Sequence, residues 1–266
     1  MNGLVRPWIA PACYVGVATL ACILFTACTP PIVDPGLFAS IPGLGALPGD
    51  LPAYWLRFAA SFVLLGVGPL VVALLMGFRP ADLGLTLPGK VLTRPSFWVL
   101  VLAAVGLGAL GGAFPDIASY YPYRHDLVDQ VRDRGATPFL VHAAAYVLLY
   151  YVPWETFFRG FFLLGLLAGV ERGFPPSGPR RTLPDARPGA SAPSPAVLLL
   201  VLFQTLPSSA LHVGHPLSES IAAVPAGIAL GILAWKTRSV VPGLVLHAAV
   251  GLGTDAFVVA RGVGGF

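Results

Sequence analysis

Charge is scarce in this sequence. Only 11% of its 266 residues are Asp, Glu, Lys or Arg, about half the share carried by an ordinary soluble domain. Lysine is nearly missing, with Lys90 and Lys236 the only two among 16 basic residues. A globule so poorly charged excludes an ordinary water-soluble domain. Cysteine is also rare: Cys13, Cys22 and Cys28 all lie in the first hydrophobic stretch, without metal-ligand spacing, and read as apolar helix residues. No internal repeat is visible. The formal charge of +4 is small, and its positive excess falls to cytoplasmic loops, so no nucleic-acid partner is expected.

Hydrophobic residues make up 56% of the chain, and the mean hydropathy is +0.79. These values describe an integral membrane protein, an all-α polytopic bundle. A crossing takes about 20 apolar residues. The expected spans are 8–29, 53–77, 97–114, 138–169, 196–211, 219–235 and 240–260. The fourth is too long for one simple crossing and contains Pro153, which kinks or breaks a helix. Seven or eight membrane helices are therefore expected, in one membrane domain. Residues 1–134 supply N-terminal helices and an interfacial segment, and 135–266 supply the core. With seven spans and a cytoplasmic N-terminus, ten basic residues fall inside and four outside, while Arg57 and Arg159 lie in spans. That bias favours this orientation.

Between the spans, residues 30–52 are rich in Pro and Gly. Residues 115–136 mix aromatic and charged side chains and read as an amphipathic interfacial helix. Residues 173–195 have the composition of a flexible basic linker. "LFTAC", ending at Cys28, loosely resembles a lipoprotein cleavage box, but a plain first membrane helix is the better reading. "GLGALG", 106–111, matches the dinucleotide fingerprint GxGxxG. It sits inside an apolar run, where small residues instead let helices approach closely.

Ionisable residues inside a membrane are costly, face the bundle interior and pair with one another. Here they are His142, Glu155, Arg159, His212, His215, Glu219, His247 and Asp255. Glu155 and Arg159 lie one helical turn apart on one face. Either they form a structural ion pair, or they belong to a site with His212 and His247 from two later segments. A carboxylate and two imidazoles from three helices could activate a water and stabilise an oxyanion, as amide hydrolysis requires. A metal is the near rival. His212, His215 and His247, with Glu219, could hold Zn, although "HVGHP" reads as a turn and HExxH is absent.

"WETFFRG" (154–160), "SSALH" (208–212) and "HAAVG" (247–251) follow one another in the order of three motifs. In this the chain resembles the CPBP group of intramembrane glutamic proteases, the CAAX prenyl endopeptidases and their bacterial relatives, myxosortases among them. The family pattern is Glu-Glu-x-x-x-Arg-Gly, then Phe-x-x-x-His, then His-x-x-x-Asn. It is matched by Glu155, Arg159, Gly160, His212 and His247. "HVGHPLSE" (212–219) and "DLGL" (82–85) also look like stretches seen in relatives. The resemblance covers about 135–260.

The resemblance implies an intramembrane endopeptidase in a bacterial inner membrane. It would hydrolyse membrane-anchored protein or peptide precursors near their C-termini with an activated water and no required cofactor. Glu155 would be the general base, helped by His212, and His247 would donate to the oxyanion, with Arg159 in support. Three departures bear on this. Trp154 stands at the first family Glu, Ser208 at the Phe, and Gly251 at the Asn. Either Glu155 takes over as base, or Asp255 or Glu219 supplies the missing polar group, or the chain is a catalytically silent scaffold. A transporter is the remaining alternative, since midplane charges and Gly/Pro breaks suit one.

Overall fold

The computed structural model describes residues 9–28, 51–174 and 192–265. The first Pro/Gly-rich connector and most of the basic linker lie outside them. Nine helices and no strands occur among the described residues. A backbone in lipid must satisfy its own hydrogen bonds, and a helix does so within one segment. The helices are α1 (Ile9–Ala27), α2 (Leu51–Ala60 continuing through Ser61–Val67 and Gly68–Leu75), α3 (Pro95–Gly112), α4 (Pro115–Tyr120) and α5 (Leu127–Arg134). They continue with α6 (Thr137–Tyr146 running on to Leu166–Arg172), α7 (Pro195–Ala210), α8 (Leu217–Thr237) and α9 (Val241–Gly264). Five of them, α1, α2, α3, α8 and α9, are long and apolar enough to cross a membrane. Proline stands in the first two positions of α3, α4, α6, α7 and α9, where its missing N–H costs nothing.

The expected interfacial helix is two short ones, α4 and α5, joined by the tyrosine-rich turn at 121–126. The long fourth hydrophobic segment is one helix. α6 passes through Pro153 unbroken, with π-helical stretches Val147–Tyr151 and Thr156–Gly165 on either side. Wider π turns shift the hydrogen-bond register, which accommodates a residue that cannot donate. α2 carries its own π stretch, Ser61–Val67, and the two meet there. A Cβ on Gly66 would sit 3.3 Å from the Pro153 ring.

α6 is the axis of the bundle. Every residue from Pro153 to Gly169 is buried, as expected of a helix that is apolar all round. α3 packs on α9 through glycines. A Cβ on Gly108 would strike the Val250 carbonyl, and one on Gly112 would lie 3.1 Å from the Thr254 carbonyl. Thr254 Oγ1 also donates to the Gly108 carbonyl at 3.0 Å. The GLGALG run is thus a helix-packing surface.

The bundle has two distinct ends. At one, Arg172 pairs with Asp82, and Arg238 Nη2 lies 2.6 Å from Glu171 Oε1. The DLGL turn docks there. Gly84, at φ 66°, accepts the Val240 N–H at 3.0 Å, and a Cβ on Gly160 would approach the Leu83 carbonyl to 2.8 Å. Gly160 and Gly84 are therefore needed for close approach. At the other end, Ser218 donates to Asp116 at 2.8 Å, and Arg132 to the Gly262 carbonyl at 2.8 Å.

Candidate active site

The site is built on one turn of α6. Tyr151, Trp154 and Glu155 lie three and one residues apart, which places them around one side of the helix. The Tyr151 ring meets His247 of α9, centroids 4.9 Å apart, and the Trp154 ring meets His212, centroids 5.5 Å apart. One imidazole comes from the last helix and the other from the turn between α7 and α8.

Glu155 is wholly buried. Its Oε1 accepts from His247 Nδ1 at 2.7 Å and lies 3.1 Å from Arg159 Nη1. The Arg159 contact is an ion pair without hydrogen-bond alignment. Glu155 Oε2 has no partner, and the space beside it exists because residue 243 is glycine: a Cβ there would stand 3.1 Å away. A carboxylate only accepts, so Nδ1 of His247 carries the proton and Nε2 is the free nitrogen. The His247 side chain keeps about a quarter of its surface accessible.

The second cluster lies in the 211–216 turn and the first turn of α8. Glu219 Oε1 accepts from Tyr121 Oη at 2.8 Å and from His215 Nδ1 at 3.1 Å. It sits 3.8 Å from His212 Nε2, and Glu219 Oε2 is buried without a partner. Tyr121 comes from the connector after α4. Burial raises the Tyr121 and Tyr123 hydroxyls well above their ordinary range, so both stay protonated. His212 Nδ1 lies 2.9 Å from the Ser208 carbonyl, to which it must donate. In this turn, burial first and His215 second push the His212 imidazole down to about 4. At neutral pH its Nε2 therefore presents a lone pair. Glu219 itself lies in the first turn of α8, where the helix dipole favours negative charge.

The structure thus brings Glu155, Arg159 and His247 together, and Glu219, His212 and His215 together, on adjacent sides of Trp154. Asp255 joins neither. Its Oδ2 lies 2.9 Å from His142 Nε2, and His142 Nδ1 meets Tyr54 Oη at 3.0 Å, all buried. The metal alternative of His212, His215 and His247 is divided between the clusters, because His215 Nδ1 is turned to Glu219 and His247 Nδ1 to Glu155. Among the described residues no group of three or more His, Cys, Asp or Glu side chains is arranged to hold an ion. Tyr121 and Tyr151 were not among the expected site residues. The tyrosine-rich stretch "YYPY" was the available signal for Tyr121.

Residues 136–252 match the family model described as type II CAAX prenyl endopeptidase Rce1-like, and this segment is similar to the CPBP family of CAAX-type intramembrane proteases. No curated protein and no solved structure matches the chain.

Proposed function

We propose that the protein hydrolyses a peptide bond of membrane-anchored proteins or peptides, near their C-termini, by direct attack of a water. The observation that carries this reading is the gap between His212 and Glu219. Nε2 of neutral His212 and the Glu219 carboxylate are both acceptors, 3.8 Å apart. They cannot bond each other, but one water can donate to both. Legs of about 2.8 Å on that base give roughly 85° at the water, close to its own opening.

Glu219 then takes the proton as the water oxygen bonds to the scissile carbonyl carbon, and the carbonyl electrons move to oxygen. His247, held through Nδ1 by Glu155, is placed to donate from Nε2 to the oxyanion in its doubly protonated form. On collapse the C–N bond breaks, and the amine leaves with the proton returned by Glu219. Glu155 acts through His247 as a positioning residue, and Arg159 balances its charge. No acyl-enzyme forms, and no metal enters the scheme.

The test compares C-termini of membrane proteins by mass spectrometry in cells carrying wild type, Glu219→Gln or His247→Ala. Precursors that lose C-terminal segments only with wild type support the reading. Identical termini in all three, with each protein stably inserted, would overturn it in favour of a scaffold.

A further inference from the structure

The two ends of the bundle carry different charge. The chain reversals at the end holding the DLGL turn contain Arg79, Lys90, Arg94, Arg172, Lys236 and Arg238 against Asp82 and Glu171. α6 ends and α7 begins at this end as well, and the sequence between them holds Arg180, Arg181 and Arg187 against Asp185. The opposite end holds Arg124, Arg132, Arg134 and Arg261, matched one for one by Asp116, Asp126, Asp129 and Asp133. The sequence between α1 and α2 has no Lys or Arg at all. Basic residues in short loops are retained on the cytoplasmic side during insertion, whereas acidic ones contribute little. The first end is therefore cytoplasmic by a wide margin.

The hydrolytic cluster lies at the second end. His212 and His215 belong to the turn between α7 and α8, and Glu219 to the first turn of α8. Tyr121, which donates to Glu219, comes from the connector between α4 and α5, and Ser218 reaches Asp116 on α4. At this end stand Trp55, Tyr120, Tyr121 and Tyr123, residue types enriched at a membrane–water interface. Arg57 lies over the Tyr123 ring, 4.1 Å from its centroid. Glu155 and His247 sit deeper in the bundle on α6 and α9.

We infer that the site opens on the non-cytoplasmic face of the membrane, and that its substrates are exported polypeptides tethered to the membrane by a segment whose scissile bond lies at the outer leaflet. The location stands on charge and geometry alone, and the substrate class rests in addition on the protease reading above. An attacking water reaches Glu219 from the outer aqueous phase. A cytoplasmic tail would have to cross the bilayer to meet it, so cytoplasmic lipidated proteins are excluded as substrates.

The test reads topology without needing activity. Cys13, Cys22 and Cys28, the free cysteines among the described residues, are first replaced by Ser in the full chain expressed in a bacterial inner membrane. Val213→Cys and Leu87→Cys then place single thiols on side chains 81% and 83% exposed, one at each end. A membrane-impermeant maleimide on intact spheroplasts should label Val213→Cys at least tenfold more than Leu87→Cys, with the order reversed in inverted vesicles. Labelling of Val213→Cys from the cytoplasmic side, alone or equally with the other, overturns the inference and leaves the protease reading standing. Alkaline phosphatase fused after residue 266, downstream of the outer end of α9, is the second readout. It should be active, and an inactive phosphatase with a fluorescent green-protein fusion overturns the inference. If the thiols label as expected while Glu219→Gln leaves every exported C-terminus unchanged, the location holds and the substrate class falls with the protease reading.

Discussion

The Trp154 indole stands edge-on to the His212 imidazole, centroids 5.5 Å apart and planes at 79°. It also stacks at 20° on Tyr150 and packs edge-on to Phe25. Trp154 occupies the position where the family pattern places its first glutamate. An aromatic wall there leaves His212 without a carboxylate from position 154, and Glu219 Oε1 lies 3.8 Å from its Nε2. Trp154 and Glu219 thus both lie beside His212.

Trp154→Ala should remove this wall. Truncating a buried tryptophan costs about 3–5 kcal/mol, here with loss of the ring that fixes His212. Trp154→Phe should keep most of both. Unfolding in detergent micelles followed by fluorescence or circular dichroism checks the order. A Trp154→Ala protein as stable as wild type would show that the wall is not structural.

Glu155→Gln keeps the shape of the side chain but removes the charge facing His247 and Arg159. His247 then loses the carboxylate that accepts from its Nδ1 and fixes its ring. The expected result is a fall in kcat of about 10²–10⁴-fold, the usual range for a lost acid–base element, with KM nearly unchanged because Glu155 touches no substrate. Single-turnover cleavage of a peptide found by the C-terminal comparison measures it. A kcat within twofold of wild type would remove Glu155 from the mechanism.

The helices were legible because a bilayer demands long apolar helices. All seven hydrophobic stretches appear as helices within a few residues of their expected bounds, and five of them are long and apolar enough to cross a membrane. Pro153 was ambiguous because a proline states only that one hydrogen bond is lost. Whether π turns absorb the loss depends on packing against Gly66, a tertiary fact. Glu155, Arg159 and His247 were legible as a set from helical spacing and motif order. Asp255 was not placed correctly by the same spacing. It shares a face with His247, but its partner is His142, 113 residues away. Tyr151 was hidden because its role follows from the absence of a side chain at Gly251.

A Cβ on Gly251 would fall on the Tyr151 hydroxyl, so this hydroxyl fills the space where the family pattern has asparagine. Gly251→Ala should destabilise the protein by about 1–3 kcal/mol through overpacking. Tyr151→Phe removes the obstructing oxygen, and the double variant should recover part of the loss. A coupling of about 0.5 kcal/mol or more in the double-mutant cycle is expected. Strictly additive effects would show that Tyr151 moves aside freely.

The His142–Asp255 pair ties α6 to α9 at a second level, on the outer side of the Glu155–His247 contact. Both side chains are fully buried, and Asp255 Oδ1 has no partner. Removing one member strands the other. His142→Ala should cost about 3–5 kcal/mol, the usual price of leaving a buried charge unpaired. Replacing both with leucine should cost much less, because the desolvation of the pair disappears with it. The same double variant should insert normally and retain cleavage, since neither residue touches the clusters around Trp154. Unfolding midpoints of the two singles and the double distinguish the cases. Equal losses in single and double would mean that the pair contributes shape rather than charge. A double variant that folds but does not cleave would mean that the α6–α9 register, set at His142, governs how His247 meets the scissile carbonyl.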